Sequence, residues 1–307
     1  MKILIADKLS PKAIAALEKI GADITSSPDL KAEDLSESIG NANVLIVRST
    51  KVFAETIEAG KSLELIIRAG AGVNNIDLEK ASSSGVYVAN CPGKNSNAVA
   101  ELALGHIIAC DRRIVDASLD LRSGNWKKKA YQNATGLKGR TLGIIGLGSI
   151  GSALAKLAKG LDMHVIAWSR SLTPDKANTL DLVYCESIAE VAANADVVSV
   201  HLAVTLDTKH FLNTDFFNKM KDGAIFVNTS RGEIVDTVAL RKAIDEKSLR
   251  VGLDVFENEP SSGLAEFDQT DLADLITCTP HIAASTNQAS EAIADEVVRI
   301  VDSLIKT

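Results

Sequence analysis

The chain has 307 residues, of which 46% are apolar, and its formal net charge is −7. A chain of this length is expected to fold as about two domains, each with its own hydrophobic core. The acidic net charge argues against nucleic acids and membrane surfaces as partners, and no apolar run reaches the length of a membrane-spanning helix.

The cysteines indicate neither a metal site nor a disulfide framework. They are far apart and form no CxxC pair: Cys91, Cys110, Cys185 and Cys278. A reducing compartment fits this pattern, and the N-terminal MKILIADK lacks the long apolar region of a signal peptide. The sequence therefore predicts a cytoplasmic protein without a bound metal.

The first 90 residues alternate between strand-like and helix-like segments. Residues 2–6 form an apolar run of strand length, and Ser10 with Pro11 has the pattern of a capped helix start. Further strand-like runs end at the joint CPGKN, with short helical patterns between them: 22–27, 43–49, 63–70 and 86–90. Strands that alternate with helices predict a parallel α/β domain.

A second α/β series follows the joint. We expect a long helix from Ser96 or Asn97 to about Ser123, and then a polar loop before Thr141. Seven strand-like runs begin there: TLGIIG, MHVIAW, LVYC, DVVSVHL, AIFVNTS, RVGLDV and LITCTP. A final helix over about 286–305 has no strand of its own and is expected to pack on the first domain. The first predicted domain comprises residues 1–94 plus 284–307, and the second comprises residues 95–283.

The segment TLGIIGLGSIG has the spacing of a dinucleotide-binding turn, because a strand leads directly into Gly146, Gly148 and Gly151 and then into a helix. The glycines permit the turn, the approach of a pyrophosphate and close helix packing. Free N–H groups at the helix start, at Ser149 and Ile150, would face the phosphates. A plain structural turn is the alternative.

Three candidate catalytic residues follow strands of the second series. Arg231 follows AIFVNTS, Glu259 follows RVGLDV, and His281 follows LITCTP. The carboxyl ends of parallel strands share one edge of the sheet, where ligands bind. Reduction of a carbonyl needs a proton donor for its oxygen, and a His can supply that proton. A Glu can stabilise the imidazolium, and an Arg can bind a carboxylate through two hydrogen bonds. Taken singly, each of these residues is also typical of a solvated turn or a surface position without a catalytic role. His201 lies on the same edge and is a further candidate to line the cofactor pocket.

Several motifs together resemble the D-isomer-specific 2-hydroxyacid dehydrogenases over nearly the whole chain: RAGAGVNNIDLEKA, GLGSIG, NTSRGEIVD, GLDVFENEP and TPHIAAST. The resemblance implies a flavodoxin-like substrate domain, a Rossmann domain and the same catalytic set. It implies substrate-carboxylate binding by a loop of four residues: Gly70, Ala71, Gly72 and Val73. It implies cofactor contacts from a further set: Leu202, Thr229, Ser230, Asp254 and Ala283.

Within the family, the chain most resembles the short-form 3-phosphoglycerate dehydrogenases, which implies the interconversion of D-3-phosphoglycerate and 3-phosphohydroxypyruvate in serine biosynthesis. VRSTKV resembles their phosphate-binding segment and points to Arg48, Ser49 and Lys51. These residues are otherwise solvated positions after a strand. Trp126, beside three lysines, falls where the family has dimer contacts, so a homodimer is expected.

The expected ribose-binding acid after the second Rossmann strand is absent. Ser169 stands there, followed by Arg170, and no acid occurs from Met163 to Pro174. This departure predicts that NADP is accepted as well as NAD. It favours an alternative enzyme, an NADPH-dependent hydroxypyruvate or glyoxylate reductase. A third alternative is a cofactor-sensing protein like the corepressors that share this fold.

Overall fold

The structure is a computed structural model that describes residues 1–260 and 265–306. The chain divides into two compact units. One unit consists of Met1–Asn95 and Ser285–Thr307, and the other consists of Ser96–Ala284.

The first unit is built on a five-stranded parallel sheet of order β2-β1-β3-β4-β5. Its strands are β1 (Lys2–Ile5), β2 (Asp23–Ser26), β3 (Val44–Val47), β4 (Leu65–Arg68) and β5 (Tyr87–Asn90). Its helices up to β5 are α1 (Pro11–Lys19), α2 (Leu35–Ser38), α3 (Ala54–Ala59) and α4 (Leu78–Ser83), and Ala32–Asp34 forms a 3-10 turn. The strand order is that of flavodoxin-like folds.

Apolar residues on both faces of this sheet explain why its strands read as continuous apolar runs. In β3, Leu45 and Val47 enter the core on one face, whereas Val44 and Ile46 enter the core on the other. Side chains of a strand alternate between faces, so a central strand covered by helices on both sides is apolar throughout. Ser10 caps α1 as its pattern predicts, by accepting a hydrogen bond from the N–H of Ala13.

The second unit contains a seven-stranded parallel sheet of order β12-β11-β10-β9-β6-β7-β8. Its strands are β6 (Thr141–Ile145), β7 (His164–Trp168), β8 (Val183–Tyr184), β9 (Val197–Val200), β10 (Ile225–Asn228), β11 (Arg250–Leu253) and β12 (Thr277–Cys278). The order reverses between β6 and β9, as it does in Rossmann folds. Two parallel α/β domains are therefore confirmed as the fold class.

Eight helices of the second unit lie within the described part of the chain: α5 (Ser96–Arg112), α6 (Ile114–Arg122), α7 (Ser149–Gly160), α8 (Pro174–Thr179), α9 (Ile188–Asn194), α10 (Thr214–Lys219), α11 (Thr237–Lys247) and α12 (Thr270–Ala273). Two 3-10 segments, Lys128–Tyr131 and Gly232–Ile234, accompany them. The last helix of the chain, α13 (Asn287–Ile305), lies in the first unit, where it buries Ile293, Val297 and Val301 in the same core as Ile3 and Ile5 of β1.

The prediction of one helix from residue 96 to 123 is wrong. Arg113 has a left-handed backbone with φ of 51°, which separates α5 from α6. The Arg113 guanidinium lies over the ring of Tyr131 at 4.9 Å, and its Nε donates to Asp116. These contacts stabilise Arg113 at a positive φ, which an arginine rarely adopts. No glycine or proline marks the break in the sequence.

Candidate functional site

The glycine turn lies where the strand order of the second sheet reverses, between β6 and α7. Gly146 has φ of 98°, and a β-carbon there would lie 2.4 Å from the carbonyl oxygen of His201. A β-carbon on Gly151 would lie 2.3 Å from the carbonyl oxygen of Gly146. Both positions therefore require glycine for the turn itself. Gly148 differs, because a β-carbon there would have no protein atom within 4 Å.

The space beside Gly148 opens onto the start of α7. Gly148 is the N-cap residue and has no side chain with which to cap the helix. Gly148 and Ser149 are exposed, and Ile150 is half-buried. Unpaired N–H groups at a helix start attract anions, and a glycine lets a phosphate reach them. These residues fit the pyrophosphate of a dinucleotide.

The residues expected to choose between NAD and NADP follow β7. Ser169 is half-buried, and its carbonyl accepts a hydrogen bond from the N–H of Leu172 to close a turn. Arg170 and Ser171 in this turn are exposed. The half-buried Leu202 follows β9 and approaches the glycine turn. Its Cδ2 atom lies 3.0 Å from the position that a β-carbon would take at Gly146. No carboxylate occurs in the turn after β7.

His281 and Glu259 form a hydrogen-bonded pair. The Nδ1 atom of His281 lies 2.6 Å from Oε2 of Glu259, and the other carboxylate oxygen of Glu259 accepts the N–H of Phe256 at 2.8 Å. The His281 side chain is 48% exposed, so its Nε2 edge can meet a small molecule. Both residues line a cavity of about 360 Å³.

Asp254 holds the segment that carries His281. It is fully buried, and its carboxylate accepts hydrogen bonds from Thr279 Oγ1 at 2.5 Å, from the N–H of Ile282 at 2.9 Å and from the N–H of Ala283 at 2.9 Å. The Asp254 carboxylate thus binds the backbone beside His281. The cofactor contacts expected of Asp254 and Ala283 stay predictions. Sequence reasoning did not single out Thr279, since a threonine before a proline carries no signal of such a contact.

Arg231 follows β10 directly and begins the 3-10 segment. Its carbonyl accepts a hydrogen bond from the Asn228 side chain, and its Nη1 donates to the carbonyl of Ser230 at 2.6 Å. A β-carbon on Gly232 would lie 2.0 Å from the carbonyl carbon of Phe256, so this segment packs closely on the loop that leads to Glu259. Because β10, β11 and β12 are parallel neighbours, the three candidate catalytic residues lie on one edge of the sheet.

The side-chain hydroxyls of the two residues before Arg231 differ in their hydrogen bonding. The Oγ of Ser230 donates to Asn228 Oδ1 at 2.7 Å. Thr229 is buried, and its Oγ1 has no hydrogen-bond partner among the described residues. Buried hydroxyls are nearly always paired, so this orphan atom fits a ligand group such as that of a cofactor.

Two other histidines require comparison with His281. His201 lies at the end of β9, where its Nε2 is 2.9 Å from Ser199 Oγ, and burial lowers its pKa to about 4. It is therefore neutral near pH 7 and cannot serve as an acid there. His210 forms a second His–Glu pair, with its Nε2 atom 2.7 Å from Glu257 Oε1. Its side chain is 43% exposed, close to the value for His281.

The predicted phosphate-binding segment follows β3 in the first unit. The Asp7 carboxylate accepts the N–H groups of Arg48, Ser49 and Thr50 through a single oxygen, at 2.7, 3.2 and 3.1 Å. These backbone groups are thus already bound, and only side chains remain for a substrate. The Arg48 side chain is half-buried, and Lys51 is exposed.

Arg68 lies beside this segment and was missed in the sequence. It ends β4 next to Val47 of β3, and its Nε donates to the carbonyl of Arg48 at 3.0 Å. Its guanidinium covers Gly70, where a β-carbon would lie 1.6 Å from Nη1. The predicted carboxylate loop therefore begins against an arginine. In this loop the half-buried residues are Ala71, Gly72 and Val73, and the Ala71 carbonyl accepts from Asn90 Nδ2 at 2.5 Å.

Comparison with known proteins identifies the family. The sequence model described as "D-isomer specific 2-hydroxyacid dehydrogenase, NAD binding domain" matches residues 104–283. A hydroxypyruvate reductase of Thermotoga maritima is 40% identical over 300 residues, which cover 97% of this chain and 96% of the relative. The chain belongs to the D-isomer-specific 2-hydroxyacid dehydrogenase family. The resemblance read from its motifs is thereby confirmed.

Other members of this family show the same relationship. A D-3-phosphoglycerate dehydrogenase of Archaeoglobus fulgidus is 37% identical over 99% of this chain, and the chain spans 58% of that relative's length. The solved structure of an NAD⁺-bound 3-phosphoglycerate dehydrogenase of Entamoeba histolytica matches with a TM-score of 0.82 and 27% identity, covering 100% of this chain and 96% of that chain.

Family membership establishes an NAD(P)-dependent oxidoreductase with a small 2-hydroxy acid as its substrate class. These relatives are named as dehydrogenases and reductases, which favours an enzyme over the third alternative, a cofactor-sensing binding protein. Within residues 1–260 and 265–306, no helix combines the length and apolarity needed to cross a membrane. Among those same residues, no three or more His, Cys, Asp or Glu side chains are grouped so that they could hold a metal ion.

Proposed function

We propose that the protein interconverts D-3-phosphoglycerate and 3-phosphohydroxypyruvate, using a nicotinamide cofactor. The observation that carries the choice of a phosphorylated substrate is the group of cations at the carboxyl ends of β3 and β4: Arg48, Lys51 and Arg68. The Asp7 carboxylate also lies at this edge, where its Oδ2 is bonded to backbone N–H groups. Guanidinium and ammonium groups together suit a phosphate dianion.

In this proposal the catalytic chemistry is divided among the three residues on the edge of the second sheet. A nicotinamide cofactor, when bound, would supply or accept the hydride. Arg231 binds the carboxylate of the substrate and orients its C2 oxygen. His281 transfers a proton between its Nε2 and that oxygen, and Glu259 fixes the ring through Nδ1 and stabilises its protonated form.

The catalytic assignment is tested by two matched variants. His281→Ala should lower kcat by about a hundredfold or more while NADH and NADPH still bind. His210→Ala is the control, because this histidine has the same type of carboxylate partner and similar exposure. Equal losses in both variants, or full turnover by His281→Ala, would contradict the assignment of His281.

The substrate assignment is tested by steady-state kinetics with 3-phosphohydroxypyruvate, hydroxypyruvate and glyoxylate. Arg48→Ala should reduce kcat/KM about tenfold or more for the phosphorylated substrate alone, since a charged hydrogen bond to phosphate is lost. Lys12→Ala, which removes an exposed cation of α1, is the control. If loss of the phosphate costs little in kcat/KM with the unmodified enzyme, the phosphoglycerate assignment is wrong.

A second candidate function is reduction of hydroxypyruvate or glyoxylate with NADPH. The observation that favours it is the acid-free turn Ser169–Arg170–Ser171, and the similarity to a hydroxypyruvate reductase over almost the full length of both chains supports it. Arg170→Ala should weaken NADPH binding selectively, whereas Ser169→Asp should shift preference to NADH by binding the ribose hydroxyls. Unchanged cofactor preference in both variants would remove the basis for NADP binding at this turn.

A homodimer through α6 and the segment after it is also proposed. Trp126 is 81% exposed, and α6 exposes Ile114, Leu119 and Leu121. Asp120 fixes the Trp126 segment by accepting from Lys127 at 2.7 Å and from the Tyr131 hydroxyl at 2.5 Å. Light scattering should show a dimer that Leu119→Glu dissociates. Tyr87→Ala, which removes another exposed aromatic side chain, should leave the dimer intact. The role in serine biosynthesis and the cytoplasmic location stay predictions.

A further inference from the structure

A buried histidine on α5 contacts the network that holds His281. His106 is 3% exposed and lies against β11 at Gly252, where a β-carbon would be 2.8 Å from His106 Cβ and 3.1 Å from its Cγ. Only a glycine at this position leaves room for the imidazole. Its Nε2 atom lies 3.1 Å from Thr279 Oγ1.

The direction of each hydrogen bond follows from the available protons. The Thr279 hydroxyl has one proton and donates it to the Asp254 carboxylate at 2.5 Å. The His106 Nε2 atom must therefore carry a proton and donate to Thr279. Burial lowers the pKa of His106, which favours the neutral ring, and the hydrogen bond to Thr279 places the single ring proton on Nε2.

Asp254 connects this network to His281. Its carboxylate accepts the N–H groups of Ile282 and Ala283, and its carbonyl accepts the N–H of His281 at 2.8 Å. His281 has φ of 51°, a conformation that a histidine rarely adopts unless its neighbours hold it there. The position of Asp254 therefore determines where the imidazole of His281 meets Glu259.

We infer that His106 and Thr279 are positioning residues for His281. They form a relay of hydrogen bonds from α5 through Asp254 to the backbone of His281, and neither touches the reacting atoms. This inference rests on the proposed role of His281 in proton transfer. The relay orients Asp254, which would otherwise lack one of its three side-chain hydrogen bonds.

The test measures kcat and KM in full-length variants, at a temperature where circular dichroism shows each variant to be folded. Thr279→Val and His106→Leu should each lower kcat about three- to tenfold, because a hydrogen bond is lost, with the Kd of NADPH unchanged. Thr279→Ser and His106→Gln retain a donor and should restore most of kcat. Thr237→Val is the control, since its hydroxyl donates to Glu257 of the other His–Glu pair.

A double-mutant cycle supplies the decisive comparison. Because the two residues act in series, Thr279→Val combined with His106→Leu should lose no more kcat than Thr279→Val alone. Wild-type kcat in Thr279→Val, or the same loss in Thr279→Ser, would overturn the inference, as would fully additive losses. Failure of the proposed function is recognised separately, because His281→Ala would then retain turnover whatever the relay variants do.

Discussion

Two glycines of one turn should respond to alanine in different ways. In Gly146→Ala the new β-carbon would lie 2.4 Å from the His201 carbonyl oxygen, at a backbone φ of 98°. Alanine at a left-handed position costs about 1 to 2 kcal/mol, and a contact with rigid backbone adds about 1 to 3 kcal/mol. The free energy of unfolding should therefore fall by about 2 to 5 kcal/mol.

Gly148→Ala should separate cofactor binding from stability. A β-carbon there meets no protein atom within 4 Å, and the backbone φ is −86°. The only cost to the fold is a poorer N-cap, less than about 1 kcal/mol. The methyl group would instead occupy the space that the proposed pyrophosphate needs. The Kd of NADH and NADPH should rise at least about tenfold, which corresponds to about 1.4 kcal/mol.

Urea unfolding and fluorescence titration with both cofactors provide the assay. Gly160→Ala is the matched control, because this last residue of α7 has open space around its β-position. It should change neither the Kd nor the stability by more than about 1 kcal/mol. Wild-type stability in Gly146→Ala would refute the steric argument. Wild-type cofactor affinity in Gly148→Ala would refute the assignment of the pyrophosphate to this turn.

Two further predictions concern charge. Arg140→Ala should destabilise the protein by about 3 to 5 kcal/mol, because Asp111 is 2% exposed and would lose the guanidinium that lies 3.0 Å from its Oδ1. The control is Lys138→Ala, which breaks a salt bridge to Asp162 on the surface and should cost less than about 0.5 kcal/mol. Urea unfolding measures both. His201 titrates at about 4 when folded and near 6.5 when unfolded, so the unfolded state binds more protons between these values and stability falls as the pH falls. At about pH 5 this loss is about 2 kcal/mol, and it should be absent in His201→Gln when the two proteins are compared at about pH 7.5 and about pH 5.

Much of the fold could be predicted because local chemistry specifies it. Ser10 caps α1 by accepting a hydrogen bond from the N–H of Ala13, three residues away, and Pro11 is the first helical residue. The runs that form β3 and β10 are apolar because both faces of each strand are buried. The break at Arg113 could not be predicted in this way. Its left-handed backbone accompanies contact with Tyr131, which follows α6 and approaches Arg113 only after folding.

The candidate site shows the same division. Sequence spacing alone determined a glycine turn after a strand, and it placed Arg231, Glu259 and His281 after three strands, because residues that follow parallel strands share one edge of the sheet. Only the tertiary structure revealed that Arg68 lies beside Arg48, and that Asp254 binds Thr279 and the backbone around His281. These hydrogen bonds join residues 20 to 29 positions apart, so they depend on the path of the folded chain and not on any local pattern.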